Sequence, residues 1–162
     1  MAKIKNIPAE NNVLRYARRK YLAWKMDENG DGARIVGCFP DVFKLRDNAE
    51  FNKKNSGPEK YLSVNWIEFF PGDEEEQLGQ TVGDFCSVWS VGKNDAFVKL
   101  SVDEFKKVSR SHKAEVRILH EPTKYIKSHG SIRRLPEDNA LLLDDLCVMA
   151  SKALIPATRF KK

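Results

Sequence analysis

The stretch between residues 136 and 156 constrains this chain more than any other. Leu142, Leu146, Met149, Ala150, Ala153 and Leu154 recur there at helical spacing, with Glu137 and Asp138 ahead of them and Pro156 behind. Acids are stabilised in the positive first turn of a helix, Pro136 suits its start, and Pro156 ends it. An amphipathic helix with so continuous an apolar stripe needs a layer to lie on. The rest of the sequence supplies one. Runs rich in β-branched and aromatic residues at 33–39, 61–70, 96–101 and 114–119 read as short strands, with Leu62, Val64 and Trp66 on one face of the second.

Two further helices are expected. Leu78, Val82 and Phe85 form a stripe behind the acids at 73–76, which predicts a helix over 73–89. Ser101-Val102-Asp103-Glu104 has the form of a capping box and opens a shorter helix to about Ser109. Residues 11–25 fit helical and strand spacing equally well. Segments 47–58 and 120–135 read as surface loops, the first with Ser56-Gly57-Pro58 and the second with Pro122 and Gly130. The class is therefore α+β: a single domain over 1–162, with a mixed or antiparallel sheet and a C-terminal amphipathic helix packed on it. Residues 1–12 and 157–162 are expected as loose tails. A domain of this length buries roughly 70% of its unfolded surface and needs no staples.

Several classes drop out. No apolar run approaches the ~18 residues of a membrane span, and no apolar core follows Met1 to Pro8, so neither membrane nor secretory leader is expected. Cys38, Cys86 and Cys147 are odd in number and lack a CxxC pair, which argues for buried thiols in a reducing, cytoplasmic setting. Asp27-Glu28-Asn29-Gly30-Asp31-Gly32 matches the opening of a calcium loop, but Cys38 stands where the closing glutamate belongs. A hairpin turn is the reading there. His112, His120 and His129 are too far apart along the chain for a local metal site. No phosphate-binding glycine loop, nucleophile elbow or zinc-protease helix is present, so no metal and no cofactor is expected.

Charge points to an anion. Lys and Arg number 28 against 23 Asp and Glu, for +5, and the basic residues cluster in 1–25 and 105–134 while acids gather at 73–76 and 137–145. Segregation of this kind suits a basic face for a polyanion. Arg15, Arg18, Arg19, Lys124, Lys127 and Arg133 are the expected contacts to nucleic acid or a nucleotide, with Tyr16, Trp66 or Tyr125 for stacking. A second reading is an enzyme acting on a nucleotide or RNA. There His120 or His129 moves the proton, Arg15 holds phosphate, and Ser63 or Glu68 orients the substrate. In that reading Arg15, Ser63 and His129 converge on one site. A third reading is an interaction subunit whose acidic helices bind a partner protein.

Arg15 within Val13-Leu14-Arg15-Tyr16, then Leu62-Ser63-Val64, then His120-Glu121-Pro122 and Ser128-His129-Gly130-Ser131-Ile132 occur in an order that is similar to a group of small bacterial proteins. That group is built around an early arginine, an LSV strand and a late (S/N)-H-x-x-I loop. The resemblance spans about residues 13–155 and implies a pattern without an established activity; the anion-binding reading is that of a small cytoplasmic bacterial accessory protein, of the kind often encoded in defence or mobile-element clusters. A smaller likeness is to the arginine–serine–glutamate set of ADP-ribosyltransferases, which would imply NAD chemistry. Here Val64-Asn65 follows Ser63 where that family has Thr-Ser, and no later strand carries an E-x-E pair.

Overall fold

β2 (Asn12–Ala17) organises the molecule because both its edges are taken. It pairs antiparallel with β5 (Leu62–Trp66) on one side and with β6 (Ala96–Ser101) on the other. Outward from β5 come β8 (His129–Arg133), β7 (Arg117–His120) and β1 (Lys5–Asn6), and outward from β6 comes β9 (Leu154–Pro156). The result is a seven-stranded antiparallel sheet. β3 (Leu22–Met26) and β4 (Ala33–Cys38) pair antiparallel with each other as a separate two-stranded sheet; residue 31 of the expected turn lies outside the described residues. The computed structural model describes residues 4–30 and 32–160.

Alternation along the strands gives the sheet two apolar faces. Val13, Ala17, Leu62, Val64, Val98 and Ile132 face one side, where α3 (Val102–Ser111) and α4 (Ala140–Ala150) cover them. Leu14 and Phe97 face the other side, under Leu78, Val82 and Phe85 of α2 (Glu74–Cys86). The expected starts of α2 and α3 hold, with only the serine half of the box at α3 formed among the described residues. Asp73 and Glu76 form the reciprocal capping box of α2, and Ser101 accepts from the Glu104 N–H at the head of α3.

The architecture is mixed α+β in one domain, but the chain does not close in a helix. α4 starts at the Asn139 cap, which accepts from Leu142 N, and it ends at Ala150. Leu154 belongs to β9 instead, where Phe97 pairs with Ile155. Glu137 is not a dipole acid either, since it accepts from Leu45 N. The tails are also tied down where they are described. Lys5 pairs with His120, Ile7 is buried, Ala157 donates to Asp95 O, and 157–160 forms a 3-10 turn. Residues 1–3 and 161–162 lie outside the described residues. The polar segment 47–58 holds a short helix, α1 (Ala49–Asn55), capped by Asn48 and anchored by the buried Phe51. The expected loop 120–135 is a loop only to 128, after which β8 begins.

Gly130 shows why β8 has its sequence. A Cβ there would sit 2.6 Å from the Leu119 carbonyl oxygen on the paired strand. Backbone cannot swing away as a flexible side chain can. Gly130→Ala should therefore cost about 3 kcal/mol, the upper end of overpacking penalties, read as a lowered denaturant midpoint at unchanged slope.

Candidate functional site

The sheet face under α2 is not wholly apolar. Ser63 and Asn65 alternate with buried Leu62 and Val64 on β5, and their partners across the ladder are Ser131 and His129. Tyr16 reaches the same face from β2, two residues beyond Leu14, which lies opposite Asn65. Ser63, Asn65, His129 and Tyr16 line a cleft of about 160 Å³, walled by Phe51 of α1 and by Phe85 and Trp89 around the end of α2. Tyr125 and Ile126 of the 121–128 loop close its far side. A cavity of roughly 150 Å³ accepts one benzene-sized ring.

The walls are already arranged as stacked rings. Phe51 and Trp89 lie 5.3 Å apart and within 8° of parallel, and Phe85 follows at 6.4 Å from Trp89. Two cations sit against them. Lys54 Nζ lies 5.0 Å from the centre of the Trp89 ring, while the Arg46 guanidinium lies 5.3 Å from Tyr16 and 5.8 Å from Phe51. Burial first, and then the neighbouring Arg15 charge, hold the Arg46 pKa below the usual arginine range. Of its five guanidinium hydrogens, the described residues use one, from Nη2 to Tyr16 O at 3.1 Å. A partly desolvated guanidinium with free donors is the strongest anion attractor of the cleft.

The floor is rigid. Asp84 of α2 accepts from both Ser128 N (2.9 Å) and Ser128 Oγ (2.6 Å), and Asn65 Nδ2 donates to the same hydroxyl. This chain ties α2, the loop and β5 together beneath the cleft. His129 Nδ1 donates to Glu121 O at 2.8 Å, so in the neutral ring Nε2 carries the lone pair and has no partner among the described residues. The Ser63 hydroxyl is likewise unpartnered there. Tyr16 stays a neutral phenol, because burial and the 2.6 Å hydrogen bond to Asp95 Oδ2 push its pKa up.

No family model, curated protein or solved structure matches this chain. Its chemistry has to be read from the residues alone.

Ser63 and His129 do converge, as the sequence suggests. Arg15 does not join them. It shares the alternation of Val13 and Ala17, so it lies on the α3–α4 face, and it is 1% exposed. All five of its donors are spent: Nε on Val42 O, Nη1 on Glu59 and Ser63 O, and Nη2 on Lys44 O and Glu59. Nothing remains for a phosphate. Glu68 is committed to Asn12, accepting from its backbone N and its amide. His120 lies on the opposite face from His129, buried between Trp66 and Phe69, with Nε2 donating to Lys127 O and Nδ1 without a partner among the described residues. It cannot act in this cleft.

The expected nucleic-acid contacts fare unevenly. Arg18 is paired with Glu50, while Arg133 is paired with Glu121 and lies 4.1 Å over Tyr61. Lys124 and Lys127 are exposed on the loop that borders the cleft, and the Arg19 backbone N donates to Asp95. The described residues hold no group of three or more His, Cys, Asp or Glu that could bind a metal, and no helix long and apolar enough to cross a membrane. Sequence reasoning missed Arg46, Lys54, Phe51 and Trp89. A lone phenylalanine three residues after Asn48, in an otherwise polar stretch, was the available signal of a capped, buried turn.

Proposed function

We propose that the protein binds a small anionic ligand carrying one aromatic ring, a mononucleotide being the class that fits, in the cleft between α1, α2 and β5. The observation that carries this reading is Arg46: a desolvated guanidinium with four donors unspent among the described residues, beside a stack of aromatic rings. The ring would stack against Trp89 and the anion would take Arg46 and Lys54. A long polyanion is less well served, because Arg15, Arg18 and Arg133 are already partnered within the chain. Titration calorimetry at low salt with nucleoside monophosphates, and with inorganic phosphate as the ring-free control, tests it. Arg46→Gln should weaken mononucleotide binding roughly ten- to hundredfold, the worth of a charge-assisted hydrogen bond. Added salt should weaken it further. Undetectable binding of all four monophosphates in about 50 mM salt, where screening is weak, overturns the reading.

One observation favours an enzyme acting on the same ligand. The Glu121 carbonyl holds His129 in the tautomer whose Nε2 can accept a proton, and the unpartnered Ser63 hydroxyl lines the same cleft. Ser63 and His129 are diagonal neighbours across the β5–β8 ladder, about 7 Å apart at Cβ. A substrate group seated between them would meet both. His129→Gln should then abolish turnover while leaving mononucleotide affinity within a few-fold, and unchanged turnover would dismiss the enzyme but keep the binder.

A further inference from the structure

A second hollow lies behind one wall of the cleft. It has a volume of about 330 Å³ and sits between the end of β2, the 3-10 turns Arg19–Tyr21 and Pro40–Phe43, and the segment 44–48. Tyr16 and Arg46 line both spaces, so the two are neighbours across those side chains. Arg46 Nη2 donates to Tyr16 O, and the guanidinium lies 5.3 Å from the Tyr16 ring. The chemistry changes across this wall. Aromatic rings surround the cleft, whereas charge surrounds the hollow. Arg15 contributes to its lining with every donor already spent. Arg18, Lys20, Lys44 and Arg46 line it as well, against Asp41 and Asp47. The partners of these cations are weakly held. Lys20 Nζ lies 5.0 Å over the Tyr21 ring and has no carboxylate partner among the described residues. Lys44 pairs with Asp41 at 3.4 Å and Arg18 with Glu50 at 2.9 Å, but in each pair the carboxylate is more than half exposed. Exposed pairs contribute little, so a phosphate oxygen can take over either cation. Asp47 is occupied by the Asn52 amide.

We propose that the cleft and the hollow hold one ligand, a nucleoside di- or triphosphate, whose ring occupies the aromatic cleft and whose phosphate chain crosses Arg46 towards Lys20, Lys44 and Arg18. This assignment rests on the mononucleotide reading and lengthens its ligand. Arg46, with unspent donors on the boundary of the two spaces, takes the phosphate nearest the nucleoside. Each further phosphate adds negative charge, and the cations that can meet it stand in the hollow and not in the cleft. Lys54, the other cation of the cleft, is held over Trp89 and donates to Val88 O, on the far side of the aromatic stack from the hollow's lysines.

Titration calorimetry of the full chain at low salt, with EDTA present, tests this using the mono-, di- and triphosphates of the four common nucleosides. For the nucleoside that binds, affinity should rise with phosphate number, by about tenfold or more from mono- to triphosphate, the worth of one added charge-assisted hydrogen bond. Lys20→Ala combined with Lys44→Ala should remove most of that gain while leaving monophosphate affinity within about twofold. Both lysines are exposed, and an unchanged melting temperature shows that the variant is folded. Arg46→Gln should weaken every member of the series. Inorganic tripolyphosphate, which has no ring to stack, should bind about tenfold more weakly than the nucleoside triphosphate, or worse. Equal affinity along the series, or a gain that the double lysine variant keeps, overturns the extended ligand and leaves the mononucleotide reading standing. Tripolyphosphate binding as tightly as the nucleoside triphosphate also overturns it, since the ring then adds nothing. Absence of binding throughout the series overturns both.

Discussion

Arg15→Met should destabilise the protein by about 3–5 kcal/mol, the usual cost of breaking a buried ion pair by removing one partner. For a domain of this length that lowers Tm by roughly 10 °C or more. The reason is Glu59. Glu59 is 6% exposed, and its carboxylate accepts from Arg15 Nη1 and Nη2, from Arg46 N and from Ser63 N. Burial alone would raise its pKa, but the Arg15 charge and hydrogen bonds, with Arg46, outweigh that and hold it at about 2 against the usual 4.5. Without Arg15 the carboxylate is stranded, as are the carbonyls of Val42, Lys44 and Ser63. Arg15→Met with Glu59→Gln should recover part of the loss, since the charge goes but the carbonyls remain unpaired.

The same pair sets an acid limit. A carboxyl whose folded pKa is depressed contributes stability in full above its unfolded value, and that contribution is lost as pH falls through the folded value. For Glu59 the window runs from 4.5 down to about 2. The penalty of Arg15→Met should accordingly shrink as pH drops below 4.5, because a protonated Glu59 no longer needs the cation. Chemical denaturation of wild type and variant at neutral pH and near pH 3 measures this. An equal penalty at both pH values would mean that the arginine matters only for its carbonyl contacts.

The chain cut after Leu135 should fail to fold. It loses α4, whose Leu142, Leu143 and Leu146 are fully buried against the sheet, and it loses β9, leaving the β6 edge unpaired. Leu146→Ala alone should cost about 2–5 kcal/mol, the range for a leucine truncated in a closed core. Removing three such leucines together costs about 6–15 kcal/mol, comparable to the whole 5–15 kcal/mol that holds a typical domain. Residues 1–135 should show no cooperative melt by circular dichroism, and a soluble fragment with a sharp transition would contradict this.

Legibility varied with how local the cause was. The capping pairs Asp73/Glu76 and Ser101/Glu104 lie three residues apart, so their helices are readable from the letters and stand where expected. The leucine stripe of α4 is equally local, yet its end is not. Leu154 fits the helical period, but the open edge of β6 offers it a ladder, and residues 153–155 leave the helix to hydrogen-bond there. Gly130 and its polar neighbours read as turn residues, which puts His129 in a loop. In the fold that glycine is needed for the approach of Leu119 O within a strand.

By itself the sequence determined the α+β class, the starts of α2 and α3, and the face shared by Leu62, Val64 and Trp66. Those follow from period, capping chemistry and residue type, which act over a few neighbours. The tertiary structure alone decided which arginine is available. The sequence points to Arg15 and passes over Arg46, although the two carry the same guanidinium. Glu59 and three carbonyls, brought in from residues 42–63, saturate Arg15, while among the described residues the Arg46 guanidinium donates to Tyr16 O alone, beside the Tyr16 and Phe51 rings. A cation's function depends on which donors remain unspent, and that is a property of the residues folded around it, not of its own letter.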